Sequence, residues 1–167
     1  MHCLVTAGAT LEPIDAVRRL TNASTGKLGC GLADALARAG HRVTLLLSGS
    51  AQHIPRSKKI RIIRFTTTAD LMEQMQSAAA LKVKAIFHAA AVSDFRVKRP
   101  RKGKVSSAKT LSLELTPTPK IIVQLRKWHP DALLVGWKFE VDGNRNATLK
   151  AARAQVATCQ TNACVAN

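Results

Sequence analysis

The sequence predicts a three-layer, Rossmann-like α/β fold: a doubly wound, mostly parallel sheet of about six strands with helices on both faces. Three observations predict it. Short apolar runs alternate with helical ones along the whole chain. Those runs are mostly continuous, as strands buried on both faces require. The 167 residues also show no internal repeat and no long linker, which fits a single domain over 1–167.

The strands are expected at 3–7, 42–47, 60–65, 85–90, 132–137 and 163–166. Helical stretches fall between them at 26–39, 69–80, 119–128 and 147–157. The first helix carries Leu28, Leu32, Ala35, Leu36 and Ala39 at helical spacing, and Gly40 follows where a left-handed C′ residue belongs. Thr118 and Pro119 read as the N-cap and N1 proline of the third helix.

Residues 91–110 break this rhythm. They follow a core strand yet have no helical period, and Pro100 and Gly103 argue against a regular element. Six of the nine residues from 96 to 104 are basic. A long basic loop beyond a strand's C-terminal end is where α/β proteins bind ligands, so this segment is read as an active-site loop. Few apolar anchors, two backbone breakers and self-repulsion predict that 95–109 is mobile until a polyanion draws it down.

Lys and Arg total 26 against 10 Asp and Glu, a net charge of +16. Such a balance suits polyanions: nucleic acid, an acidic surface or phosphate-bearing small molecules. With no Tyr, four Phe and two Trp, the chain is poor in the aromatics that single-strand stacking platforms use. No run approaches the ~20 apolar residues of a membrane span. The start, Met1-His2-Cys3-Leu4-Val5-Thr6, does not resemble a secretory signal, so Cys3, Cys30, Cys159 and Cys164 are expected to be reduced thiols in the cytoplasm. Cys159 and Cys164 have no His or second Cys pair nearby, and a zinc site is not expected.

Residues 21–31 (TNASTGKLGCG) open the first helix with small and hydroxyl side chains, which leave backbone N–H groups and the helix dipole for an anion. The plainer alternative is that Ser24 or Thr25 is an N-cap and that Gly29 and Gly31 serve helix packing. A P-loop fails at Thr21 and Leu28. A dinucleotide fingerprint fails because only Gly8 follows the first strand and the spacing of Gly26, Gly29 and Gly31 is reversed. Asp94 is the only carboxylate between Glu73 and Glu114, and it lies just beyond a strand. It reads either as a salt-bridge partner for the surrounding cations or as a group that meets a hydroxyl, a base or a metal. His2, His41, His53 and His129 fall at element edges, and His88 reads as a satisfied buried imidazole. Glu12 and Asp15 read as loop or cap residues. Nothing here points to a hydrolase.

Taken in chain order, residues 5–15 (VTAGATLEPID), 17–29 (VRRLTNASTGKLG), 89–95 (AAAVSDF), 103–107 (GKVSS), 115–121 (LTPTPKI), 135–138 (VGWK) and 165–167 (VAN) resemble the phosphopantothenoylcysteine synthetase family, the ligase domain of the DNA/pantothenate metabolism flavoproteins. The resemblance implies a ligase of coenzyme A biosynthesis that joins 4′-phosphopantothenate to L-cysteine. CTP or ATP, with Mg²⁺, activates the carboxylate as an acyl-nucleotide. It implies a homodimer and no flavin in this domain, and it identifies no metal ligands. By position it makes Asn22 and Lys104 catalytic and assigns the substrate to Arg18, Asn22, Gly26 and Lys27. The nucleotide falls to Ala91, Asp94, Thr118, Pro119, Lys120, Ile121 and Trp137.

The chain also departs from that pattern. Arg19 replaces a usual aromatic, Ala23 a usual polar residue, and Thr118-Pro119-Lys120 an Asn-Pro-Asp. Gln155 and Cys159 stand near the places of two late phosphate-binding lysines, with Lys150 and Arg153 as substitutes. By the resemblance, a few dozen C-terminal residues are expected to be lacking. Two other readings stand beside the ligase: a basic nucleic-acid-binding α/β module, and a truncated paralogue that binds nucleotide without turnover. Nucleic acid is not the expected partner.

Overall fold

The computed structural model describes residues 1–108, 110–139 and 144–166. In chain order the elements are β1 (His2–Ala7), β2 (Leu11–Pro13), β3 (Arg19–Thr21), α1 (Lys27–Arg38), β4 (Arg42–Ser48), β5 (Arg61–Phe65) and α2 (Thr68–Ser77), which runs into a 3₁₀ turn at Ala78–Leu81. They continue with β6 (Ala85–His88), β7 (Phe95–Val97), β8 (Leu115–Pro117), α3 (Ile121–Trp128), β9 (Leu133–Lys138), α4 (Arg145–Cys159) and β10 (Ala163–Ala166). Among the described residues, no helix is long and apolar enough to cross a membrane.

Six strands form one parallel sheet in the order β10-β9-β6-β1-β4-β5. The chain builds outward from β1 to β4 and β5, returns to lay β6 on the other side of β1, and builds outward again. The order therefore reverses between β1 and β6. Such a topological switch leaves a crevice at the strands' C-terminal ends.

The central strands explain the continuous apolar runs. Leu4 and Leu46 enter one core with Phe65, Leu71, Met75, Ile86, Ile121, Leu125 and Leu134. Their neighbours Val5, Leu45 and Leu47 enter a second core with Cys30, Ala33 and Val43. Alternate residues thus feed opposite faces, with α2 and α3 over the first and α1 over the second.

Helix α1 ends in a Schellman motif. Gly40 has φ +81°, its N–H donates to Ala37 O at 3.1 Å, and His41 N–H donates to Leu36 O at 3.0 Å. Its buried face differs from the expected leucine stripe. Gly29, Cys30, Ala33 and Asp34 are buried, whereas Leu28 is 49% exposed. The reason lies at Gly29, where a Cβ would come within 2.5 Å of Ala7 Cβ and 3.0 Å of Thr6 O. So close an approach puts small residues against the sheet and pushes larger ones to the rim.

Helix α3 starts at Ile121, two residues later than expected, and Lys120 at its N-cap makes no side-chain cap. Thr118 is committed elsewhere: its N–H donates to Asp94 O at 2.9 Å and its hydroxyl donates to Ser93 O. The irregular segment is also partly regular. Phe95–Val97 pairs antiparallel with Leu115–Pro117, and Pro100 and Gly103 lie beyond this ribbon.

One guanidinium fastens the far side of the sheet. Arg126 of α3 donates to Pro130 O at 2.8 Å, Ala132 O at 2.9 Å, Gln160 O at 3.0 Å and Asn162 Oδ1 at 2.8 Å. Asn162 Oδ1 also accepts from Leu134 N–H at 2.8 Å.

Candidate active site at the switch point

Beyond the sheet edge, β1 and β6 continue side by side. Ala91 N–H donates to Gly8 O at 2.9 Å, Thr10 N–H donates to Ala91 O at 3.2 Å, and Ala9 pairs with Ala91. Gly8 has φ +86°, and a Cβ there would meet Ser48 Cβ at 2.6 Å, so only glycine turns the chain at this point. Beneath this floor, Thr6 Oγ1 accepts from Ala90 N–H at 3.0 Å and shares a hydrogen bond with His88 Nδ1, also at 3.0 Å. Burial pushes the His88 imidazole down to about 4, so the ring is neutral.

A crevice of about 650 Å³ opens at the switch point, lined by Gly8, Ala89, residues 23–29 and Gly31. Gly26 (φ +79°) is the N-cap of α1, and the first turn holds no acidic side chain. Its positive end therefore faces the crevice uncompensated, with the exposed Lys27 beside it. Thr25 Oγ1 accepts from Lys27 N–H only at a long 3.4 Å, so hydroxyl capping contributes little here. Asn22 is exposed, and its Nδ2 donates to Val92 O at 3.2 Å, which ties this loop to the segment after β6.

A second cluster connects the first loop with the basic one. The Asp15 side chain is wholly buried. Oδ1 accepts from the amides of Val17 at 2.8 Å and Arg18 at 2.7 Å. Oδ2 accepts from Val105 N–H at 3.0 Å and pairs with the Arg18 guanidinium. The Val105 amide above all, then those of Val17 and Arg18 and the Arg18 side chain, hold this carboxyl well below the usual carboxylate range against the opposing effect of burial. Arg18 Nη1 also donates to Val105 O at 3.1 Å.

The basic loop is seated further by Lys98 N–H on Glu114 O at 2.9 Å and Arg101 N–H on Ile14 O at 3.0 Å. The exposed Lys104 lies in this docked stretch, beside a cavity of about 740 Å³ that Arg101, Lys102, Val105 and Ser106 also line.

The nucleotide positions expected from the resemblance divide. Asp94 and Lys120 form an ion pair, and Thr118 binds the same loop, so 93–94 and 118–120 are one unit. Thr118 and Pro119 line a neighbouring cavity of about 360 Å³ with Glu12, Thr68 and Arg96, not the switch-point crevice. Ile121 is 1% exposed in the core, so its side chain is unavailable to a ligand. Trp137, on β9, does not line the crevice either, and its buried Nε1 has no hydrogen-bond partner among the described residues. Ala91 belongs to the floor itself. At the places of the late phosphate-binding lysines, Cys159 is buried and Gln155 Nε2 is turned to Cys164 Sγ at 3.2 Å, while the substitutes Lys150 and Arg153 are exposed.

Sequence reasoning placed Glu12 and Asp15 as cap or loop residues, and for both that was half of the role. Glu12 accepts from Thr68 N–H at 2.8 Å and Thr68 Oγ1 at 2.7 Å, capping α2 from another element. Asp15 turns its own loop, but its bond to Val105 spans 90 positions and leaves no local signal.

The doubly wound sheet and its switch-point crevice define a Rossmann-like α/β domain, with a basic loop docked on the Asp15–Arg18 turn. Residues 1–167 match the family described as the DNA/pantothenate metabolism flavoprotein C-terminal domain, and the chain belongs to that family. It is 39% identical over 165 residues to the coenzyme A biosynthesis bifunctional protein CoaBC of Thermococcus kodakarensis, covering 98% of this chain and 40% of that protein. The DNA/pantothenate metabolism flavoprotein of Streptococcus pneumoniae has the same fold, with a TM-score of 0.90, 31% identity and coverage of 100% of this chain and 82% of that one. A Cab2 variant in complex with phosphopantothenate-cysteine shares the fold at TM-score 0.86 and 21% identity, covering 99% and 72%.

Proposed function

We propose that this domain joins 4′-phosphopantothenate to L-cysteine through an acyl-nucleotide, at the expense of CTP or ATP, in coenzyme A biosynthesis. The observation that carries this reading is that hydrogen bonds link the segment 15–22 both to the segment after β6 and to the basic loop. Asn22 is tied to Val92 O just beyond the crevice floor, Lys27 lines the crevice, and the loop bearing Lys104 is docked by the Val105 backbone onto Asp15 and Arg18 of the same substrate segment. Membership of the family and the likeness to CoaBC support the same chemistry.

In the first step the substrate carboxylate attacks the α-phosphorus and pyrophosphate leaves. In the second the cysteine amine attacks the acyl carbon, the nucleotide monophosphate leaves, and the amine loses a proton. No electrons change hands, so the residues position polyanions and balance charge. The N-terminus of α1 and Lys27 neutralise phosphate. Asn22, with one amide proton engaged on Val92 O, directs its remaining amide groups to the activated carboxylate. Lys104 meets negative charge that develops in the transfer step. Asp94, paired with Lys120, orients the nucleotide together with the 118–120 segment.

Mg²⁺ fits as an ion carried by the triphosphate, where it would screen phosphate charge. Among the described residues there is no group of three metal-ligating side chains, and Asp94 is the exposed carboxylate at this edge.

The test is pyrophosphate release and product formation with phosphopantothenate, cysteine and each of CTP and ATP. Asn22→Asp puts a carboxylate against Val92 O and the activated substrate. Product formation should slow by roughly 10²–10³, with a native circular-dichroism spectrum because the side chain is exposed. Undiminished turnover in Asn22→Asp overturns the role of Asn22. Absence of pyrophosphate release by the wild-type chain with both nucleotides overturns the ligase reading.

A further inference from the structure

We propose that Asp15 is the positioning residue that sets Lys104 for the transfer step, by clamping the peptide groups next to it onto the substrate loop; this rests on the ligase reading above. The two oxygens of Asp15 do different work. Oδ1 alone makes the local turn, since it accepts from both Val17 and Arg18 amides. Oδ2 has no part in that turn and is given to Val105 N–H and the Arg18 guanidinium. Arg18 Nη1 closes the contact by donating to Val105 O. Both polar backbone groups of Val105 are thereby held, its N–H by the carboxylate and its C=O by the guanidinium that the carboxylate orients.

Lys104 immediately precedes this fixed residue. An exposed lysine on a four-carbon stem is a poorly directed charge, and the placement of its backbone decides where the ammonium can reach. Among the described residues, the rest of the loop is held by backbone contacts at Lys98 and Arg101 and by the exposed Lys98–Glu114 ion pair, none of which touches the peptide groups beside Lys104. Among the described residues, Asp15 supplies the buried, ionised anchor next to Lys104. A turn needs no second oxygen, and burying a carboxylate for the turn alone would be a cost without return. The charge is explained by the loop that it holds.

The chemistry suggests the variant. Asp15→Asn keeps Oδ1 for the Val17 and Arg18 amides but sets an amide donor where Val105 N–H and Arg18 now meet an acceptor. Single-turnover pyrophosphate release should persist while transfer to cysteine falls about 10- to 100-fold, the range of a lost charge-assisted hydrogen bond. The further loss should vanish when Lys104→Gln is already present, because both changes act on one group. Hydrogen exchange should show faster exchange of the Val105 amide in Asp15→Asn with β1 and β4 unchanged.

Additive effects of Asp15→Asn and Lys104→Gln overturn the proposal, as does unchanged protection at Val105. If Asp15→Asn does not fold, Val105→Pro removes the same N–H from the loop side and should give the same selective loss of transfer. Full transfer in Val105→Pro overturns the clamp. A wild-type chain that turns over neither nucleotide overturns the ligase reading and the coupling to transfer with it, whereas Val105 protection still reports on the clamp.

Discussion

His88 is held in its uncharged form by the fold, and the sign of the consequence is fixed. Its imidazole is lowered by burial from the usual 6.5 to about 4, so between those values the unfolded chain binds a proton that the folded chain refuses. Stability is therefore complete above about pH 6.5 and is lost as pH falls toward about 4. Two and a half units at 1.36 kcal/mol each set an upper bound, and the loss between pH 7.5 and 4.5 should be about 2–3 kcal/mol. Denaturant unfolding at the two pH values should show that His88→Asn loses this much less than wild type; an equal loss in both chains refutes the assignment. His2 and His129 are also lowered, first by burial, and add with the same sign. The depressed Asp15 and Asp34 act in a separate window: their stabilisation is present above the ordinary carboxylate range and is lost only as pH falls below it. His88 was legible in the sequence because a lone histidine in an apolar strand has few other solutions. Asp15 was legible only as a turn former, since its partner Val105 comes from the far end of a loop.

At the scale of elements, α1 contains its own controlled experiment. Alanine at Gly29 would drive a Cβ against Ala7 Cβ and Thr6 O in a buried central strand, where nothing can yield. Overpacking of about 1–3 kcal/mol outweighs the ~1 kcal/mol gain in helix propensity, so Gly29→Ala should destabilise. Gly31 lies two residues on with nothing within 4 Å of its added Cβ, and Gly31→Ala should stabilise by up to about 1 kcal/mol. Thermal unfolding of the two variants should shift in opposite directions, and shifts of the same sign would contradict the close helix–strand approach. The six principal strands and four helices were legible from their apolar periodicity. The start of α3 was not, because Thr118 is recruited by Ser93 and Asp94, which are more than twenty positions away. The ribbons Leu11–Pro13 with Arg19–Thr21 and Phe95–Val97 with Leu115–Pro117 are too short to carry a periodic signal, and pairing across the basic loop has no local signature.

For the whole molecule, alternation of strands and helices was enough to predict a doubly wound sheet, and the switch between β1 and β6 follows from its order. The parts of the site near β1 and α1 were therefore legible, since glycines and hydroxyl residues mark where the chain leaves the sheet. The division of the 118–121 segment between a side cavity and the core was not, because it depends on how α3 is set against the sheet. The basic excess gives the molecule a long-range attraction for polyanions, which salt weakens. Arg126 carries a different kind of information. Its guanidinium joins the end of α3, the turn before β9 and the residues just before β10, so these pieces share one fastening in addition to the β9–β10 ladder. They should open together, as one cooperative unit of partial unfolding beneath the global transition. In native-state hydrogen exchange, Arg126→Gln should accelerate Leu133–Lys138 and Ala163–Ala166 to a common opening free energy while β1 and β4 keep theirs. Faster exchange confined to 129–132 would show instead that the edge strands open independently. On this account the sheet has two halves of unequal permanence: the β1–β4 side frames the crevice for the lifetime of the fold, while the β9–β10 side can detach and reseat many times within it.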